Sequence, residues 1–347
     1  MDKPRTLMIG LTPPLEGGSE RVIYELSSRI SECDVLTQKG TICKRKIEVP
    51  VIRKPVFLRN MMFALFVKIY CIGLLLTFKK KYDIIHIHEN LLYFLAIPLS
   101  WRYKIVITVH GMKGFKFYDN KFYWFFFKMG LRCADKLIAV SMADKRLLDA
   151  EFNNVVYIPN GVDLSVYKNL KAKVEKKITF IGRMHEQKGV IYLLEAFEKI
   201  KEKYPEFKLE LIGDVNDYAR DLQKRFDDKR IIWRGFISNR KEIAKLLKSS
   251  YCIALPSLWE GLPLTLFESL ASGRPLIVSD IEAFKDVVNK EVVFFKAKDS
   301  ENLANELANL LENQHKAMDL GNKGLKTSKN YDWSSIAKIT FKTYTGI

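Results

Sequence analysis

Residues 251–278 read YCIALPSLWEGLPLTLFESLASGRPLIV, and the order of residue types in this stretch sets the architecture. Residues 251–255 are a short apolar run stopped by Pro256, and a glycine turn follows at Gly261. A helix opens at about Leu264 and runs to Ala271, and residues 275–278 begin a second apolar run. Working outward, the same rhythm of strand and helix fills the second half of the chain. Strands read at 177–181, 207–212 and 231–233, with helices at 189–200 and 240–247. Nearly continuous apolar strands separated by helices imply a parallel sheet covered on both faces.

The first half repeats the pattern, with strands at 6–12, 33–37, 47–52, 82–88, 104–110, 136–140 and 155–158. A helix at 19–30 places Val22, Ile23, Leu26 and Ile30 on one face. The halves join at IPNGVD, residues 158–163, where Pro159 stops a strand and Asn160-Gly161 marks a turn; the Lys-rich stretch 168–177 reads as solvated linker. A chain of 347 residues is long for one core and suits two α/β domains. The reading is therefore α/β, two doubly wound Rossmann-like domains, 1–163 and 164–331, facing across a cleft.

Hydrophobic residues make up 48% and charged residues 28%, the balance of a folded globular protein rather than a disordered one. The net charge of +17 is spread over the chain: 25 basic and 15 acidic residues lie in 1–165, and 32 basic and 25 acidic in the remainder. Such a surface attracts anions, whether nucleotides, anionic lipid or nucleic acid. The five cysteines, Cys33, Cys43, Cys71, Cys133 and Cys252, are scattered and never spaced C-x-x-C. They read as reduced thiols of a cytoplasmic protein, not a disulfide framework or a zinc site. The start MDKPRTLMIG enters an apolar strand directly, so no secretory leader is expected.

Residues 61–78 form a mostly apolar helix about 27 Å long, close to a bilayer core. A spanning helix would put the strands before residue 52 and after residue 82 on opposite sides of a membrane and split one sheet, so a buried or interface helix is expected. Lys79-Lys80-Lys81 follows it, and residues 113–132, KGFKFYDNKFYWFFFKMGLR, interleave Lys with aromatic rings. Cations beside aromatics suit an anionic membrane surface at the inner face of the membrane; a core helix with snorkelling lysines gives the same pattern.

Three stretches carry chemistry. Gly17-Gly18 in GGSE lies between a strand and a helix, where backbone N–H groups reach a phosphate, although a plain tight turn has the same residues. GRMHEQKG places Arg183 and Lys188 after the first strand of the second domain, where an anionic group would sit. In the opening stretch, Glu260 lies in the turn and Glu268 eight residues on, inside the helix whose first N–H groups, at Leu264 and Thr265, face a phosphate. Two carboxylates alone would suit a glycosidase; the phosphate-binding helix terminus between them favours transfer from a nucleotide sugar. His86 and His88 in HIHE project to one side of a strand and could ligate metal, but spacing places no third ligand.

The ordered set GGSE, TVHG at 108–111, IPNGVD, GRMHEQKG, LIGD at 211–214, RGFI at 234–237, Glu260-x(7)-Glu268 and a closing YDWSSIA resembles glycosyltransferase family 4 over nearly the whole chain. The resemblance implies a GT-B fold whose last helix, about 332–347, packs back on the first domain. It implies retaining transfer of a hexose-type sugar from a nucleotide diphosphate donor to a glycan or lipid-linked acceptor. Arg183 and Lys188 would hold the diphosphate, Glu268 the ribose, and Glu260 the transferred sugar, with His110 beside it. The Gly17-Gly18 loop would close over the phosphates, and Phe236 and Ile237 would meet the base. Two cations on the diphosphate leave no requirement for a metal, and the sequence lacks an obvious Asp-x-Asp element that would carry one. Leu262-Pro263 replaces the Phe-Gly seen in many members, and Val215 replaces the Gly that follows Asp214, which removes any guess at the donor. An epimerase or a phosphorylase on the same architecture, and a basic nucleic-acid-binding protein, are the alternatives; no nucleic-acid motif supports the last.

Overall fold

The computed structural model describes residues 3–14, 17–52, 54–112 and 121–347. The chain forms two compact units, one of Met1–Asn160 with Trp333–Ile347 and one of Gly161–Asp332. The break falls at Asn160, three residues before Asp163, because Val162 already belongs to the second unit. Its N–H donates to Tyr331 O at 2.8 Å, and the Leu164 N–H to Asp332 Oδ1 at 3.4 Å. The chain thus leaves and re-enters the first unit at adjacent points.

The first unit holds a seven-stranded sheet: β1 (Thr6–Ile9), β2 (Cys33–Gln38), β3 (Lys46–Val49), β4 (Ile84–Ile87), β5 (Lys104–Val109), β6 (Lys136–Ala139) and β7 (Val155–Tyr157), in the order β3-β2-β1-β4-β5-β6-β7. The second holds β8 (Lys177–Ile181), β9 (Lys208–Ile212), β10 (Ile231–Gly235), β11 (Cys252–Leu255), β12 (Leu276–Ser279) and β13 (Val293–Phe295), ordered β10-β9-β8-β11-β12-β13. All of the pairings are parallel. Every residue of β1, β4, β8 and β11 is buried, whereas the edge strands β3, β7 and β10 carry half-buried or exposed positions. Central strands covered by helices on both faces favour apolar residues, which is why they read as nearly unbroken runs; polar exceptions such as His86, Lys177 and Thr179 are hydrogen-bonded or ion-paired. β13 is a three-residue edge strand, too short to be read from composition.

Lys177 is not linker. It opens β8, nearly buried, and its Nζ lies 3.0 Å from Glu210 Oε2 on β9; Arg234 Nε donates to the other oxygen of Glu210 at 2.8 Å. Two cations on one fully buried carboxylate offset the cost of removing it from water.

The apolar helix is Val56–Leu76, and of the two expectations, buried or interface, it is not the fully buried one. Phe63, Val67, Cys71 and Leu74 form a single buried stripe against the sheet, while most of the remaining apolar side chains face outward. Of its most apolar 18-residue window, 22% is buried. The five cysteines are free thiols, four of them buried, and burial pushes Cys71 and Cys252 up to about 12.

The final helix, Trp333–Thr345, belongs to the first unit. Trp333, Ile336 and Thr340 line a small cavity with Val22, Leu26 and Ile138, and the Tyr344 hydroxyl lies 2.6 Å from His86 Nδ1 on β4. Trp333→Ala removes the largest of these side chains, and its expected effect is a loss of about 3–5 kcal/mol, read from the urea midpoint of the unfolding transition.

Candidate active site

In both sheets the strand order reverses between two central neighbours, β1 and β4 in one and β8 and β11 in the other. At such a point the flanking connections depart in opposite directions and leave the carboxyl ends of the strands uncovered. The expected site residues of the second unit lie at these ends.

After β8 the chain makes a single turn of 3-10 helix, Glu186–Lys188, capped by His185 Nδ1, which accepts the Gln187 N–H at 3.1 Å. Gly189 then adopts φ 62°, and a Cβ there would stand 2.0 Å from Pro256 O after β11. Only glycine permits that approach. The two strand-end loops are tied by the Leu258 N–H, which donates to Gln187 O at 2.8 Å.

The juxtaposition brings Lys188 to Glu260, with Nζ 2.5 Å from Oε1 and both side chains nearly buried. Ser257 Oγ donates to the same carboxylate oxygen at 2.7 Å, and Gln187 Nε2 lies 3.4 Å from Oε2. Arg183 stays exposed, one guanidinium nitrogen 3.5 Å from Gln187 Oε1. The sequence reading thus placed Lys188 and Glu260 without foreseeing that they form an ion pair. Ser257 and Gln187, which complete it, were missed, although both lie in the motifs that carry the pair.

Glu260 precedes the helix Leu264–Ala271, which starts at Pro263 with no side-chain cap, leaving Leu264 and Thr265 half-buried in its first turn. The helices after β1 and β8 begin likewise, at Gly17 and Gly189, whereas those after β6, β9, β10 and β13 are capped by Ser141, Asn216, Asn239 and Asp299. An uncapped helix terminus keeps free N–H groups and partial positive charge for an anion. A Cβ at Gly17 would meet only the movable carboxylate end of Glu20, and Gly18 has open space, so neither position demands glycine in this fold.

Glu268 accepts from Arg240 Nη1, on the helix after β10. Nothing in the sequence marks that partner, because the two are 28 residues apart. Phe236 is half exposed just beyond β10, and Ile237 packs on the core that includes Leu262.

In the first unit His110 follows β5, its Nε2 3.1 Å from His88 Nδ1. His86 is bonded at both ring nitrogens, to Tyr344 Oη and to Thr108 Oγ1 at 2.7 Å. HIHE therefore serves hydrogen bonding, and among the described residues no group of three or more His, Cys, Asp or Glu is placed to hold a metal ion. Burial pushes His110 down to about 4, and burial with the neighbouring His110 pushes His86 down to about 3; His88 falls well below the usual value for the same reasons. Glu89, noted in the sequence only as the neighbour of the two histidines in HIHE, accepts the Leu11 N–H at 3.2 Å at the β1/β4 ends, and burial raises it to about 7. Residues 113–120 of the basic aromatic stretch lie outside the described residues.

Three histidines with depressed values stay neutral in the fold at pH levels where the unfolded chain takes up protons. Their contribution is intact above about pH 6.5 and is lost as pH falls toward about 4. Thermal unfolding midpoints across this window are expected to fall with pH, and His86→Gln is expected to flatten the slope by about one proton.

A family model described as Glycosyltransferase Family 4 matches residues 16–166, and one described as Glycosyl transferases group 1 matches 164–327. The UDP-Gal:alpha-D-GlcNAc-diphosphoundecaprenol alpha-1,3-galactosyltransferase of Escherichia coli is 30% identical over 61% of this chain and 62% of its own length. The phosphatidyl-myo-inositol mannosyltransferase of Mycobacterium leprae is 27% identical over 60% of this chain and 58% of its own. The chain thus matches about three fifths of each of these relatives. The crystal structure of Anabaena HepE with UDP and glucose superposes over 99% of this chain and 100% of its own with a TM-score of 0.80, at 17% identity, a likeness of fold alone.

Proposed function

Because this chain belongs to glycosyltransferase family 4 and has its two-domain α/β GT-B fold, we propose that it is a retaining hexosyltransferase. The donor is a nucleotide diphosphate sugar, the acceptor a glycan or lipid-linked sugar, and no metal takes part. The observation that carries the reading is the Lys188–Glu260 pair at the β8/β11 ends, followed within one turn by the uncapped helix that bears Glu268.

The chemistry follows from the charges. Transfer with retention builds positive charge on the sugar and negative charge on the leaving diphosphate. Glu260, fixed by Ser257 and Lys188, presents an oriented carboxylate to the electron-poor sugar without rearranging during the reaction. Lys188 is pointed by Glu260, so its ammonium is available to a phosphate oxygen. Arg183, exposed and lightly held, is free to swing onto the second phosphate. The N–H groups of Leu264 and Thr265 complete the anion site. Glu268 takes the ribose hydroxyls, its carboxylate shared with Arg240, and Phe236 and Ile237 border the base. The acceptor hydroxyl attacks from the face the diphosphate leaves, and a donor phosphate oxygen takes its proton. His110, given to the transferred sugar by the family resemblance, is a neutral imidazole whose Nε2 shares a hydrogen bond with His88 Nδ1.

Donor specificity is read by calorimetry with UDP, GDP and ADP and their sugar conjugates, and product analysis separates transfer from epimerisation and phosphorolysis. Lys188→Ala is expected to lower kcat roughly a hundredfold to a thousandfold, the usual loss for one transition-state charge partner. Glu268→Ala is expected mainly to raise the donor KM, since its ribose contact exists before and during the reaction. Unchanged kcat in folded Lys188→Ala would remove the role given to Lys188.

A further inference from the structure

The helix Val56–Leu76 has two apolar faces and only one of them is used. Phe63, Val67, Cys71 and Leu74 pack on the sheet. Phe57, Met61, Leu65, Ile69, Ile72 and Leu76, spaced by three or four residues, form a second stripe that faces outward, with Phe57 and Leu76 about three quarters exposed. At a rise of 1.5 Å per residue the stripe runs about 29 Å. A soluble surface rarely leaves a continuous apolar strip of that length uncovered.

Within its own segment, as far as Asp83, the charges have one sign. From residue 49 to residue 82 there is no Asp or Glu, while Lys54, Arg59, Lys68 and Lys79-Lys80-Lys81 lie in the same segment. The described lysines of this segment are all exposed. Lys68 stands on the helix itself, where its stem can lie along apolar neighbours while the ammonium reaches for water or headgroups. At the carboxyl end Arg102 donates to Leu75 O at 3.1 Å and to Phe78 O at 3.0 Å, which ties the segment that carries Trp101, 89% exposed, to the one that carries fully exposed Phe78 and the three lysines. Exposed aromatics with cations at the end of an apolar stripe are the chemistry of a bilayer interface.

We propose that this outward face docks the first unit onto an anionic lipid bilayer, with the helix lying in the plane of the headgroups. The helix does not cross the membrane, because the strands on either side of it, β3 and β4, belong to one sheet and the buried stripe is part of that unit's core. A second copy of the chain is a poorer occupant: a two-fold interface over this face would bring Lys68 and the lysine triplet of each copy against like charges. The inference stands on the exposed face alone and holds whether or not the donor reading does. Joined to that reading, it makes a lipid-linked acceptor the one presented at the enzyme's own surface.

The test is cosedimentation of the full chain with phosphatidylcholine vesicles, with and without phosphatidylglycerol, at low and high salt. Binding is expected to need phosphatidylglycerol and to weaken with salt. Replacing the triplet, K79E/K80E/K81E, is expected to weaken it by about a hundredfold, since each cation near an anionic surface is worth about fivefold. The exposed apolar pair changed as L65E/I69E is expected to abolish binding while leaving the thermal midpoint and nucleotide binding as in the wild type. Equal binding to neutral and anionic vesicles would overturn the proposal, as would wild-type binding by L65E/I69E. A dimer in sedimentation velocity that L65E/I69E dissociates would overturn it in favour of self-association.

Discussion

Everything specific about the second unit depends on the pairing of β8 with β11, neighbours in space whose paired residues, such as Ile178 and Cys252, are 74 apart in the chain. Parallel pairing at a point where the strand order reverses leaves a gap between departing connections, and two loops must share it. They share it by touching. Gly189 lets its backbone pass within van der Waals reach of Pro256 O, Leu258 bonds back to Gln187, and the contact sets Lys188 on Glu260. Removing either charge would leave its partner nearly buried and unpaired, which costs more than the pair contributes. The site is therefore rigid where it is charged.

The helix ends beside the β8/β11 gap are left open. Several supporting helices have their first N–H groups satisfied by a side chain, as Asn216, Asn239 and Asp299 do, although those that start at Pro55 and Ile281 have no such cap either. The helices after β1, β8 and β11 lack such caps, and each missing cap costs about 1 kcal/mol of helix stability. Stability comes instead from unbroken burial of the central strands and from the last helix. Trp333 and Tyr344 bind that helix to the first sheet, and Tyr344 reaches the buried face of β4 through His86. The histidine cluster joins the last helix to the strand end that carries His110 by direct hydrogen bonds and ring contacts.

The central architecture was legible because buried parallel strands leave no choice of residue. The helix after Gly261 was read to the residue, since glycine, proline and the apolar run leave one frame. Of the edge strands, β3, β7 and β10 were read and β13 was not: it has three residues, one half-buried, and nothing in them exceeds the background of apolar residues. The site was legible as motifs but not as contacts. Arg240 reaches Glu268 because the crossover topology places its helix there, and Lys188 meets Glu260 because two loops converge. Neither fact has a local signature. HIHE shows the converse, a pattern that fits metal ligation by spacing yet whose His86 nitrogens and His88 Nδ1 are engaged with Tyr344, Thr108 and His110.

The helix Val56–Leu76 marks the limit of periodicity as a guide. An amphipathic helix announces its buried face by contrast, and a helix apolar on every side offers none. Its sequence is equally that of a core helix, a membrane span or an interfacial helix. Topology removes the span, since both ends return to one sheet. Burial removes the core helix, since one stripe packs and the opposite stripe does not. What is left is an apolar face bordered by cations alone. In a chain with a net charge of +17 the lysines by themselves would say little, but lysines around an unpaired apolar stripe identify the kind of surface both features satisfy together.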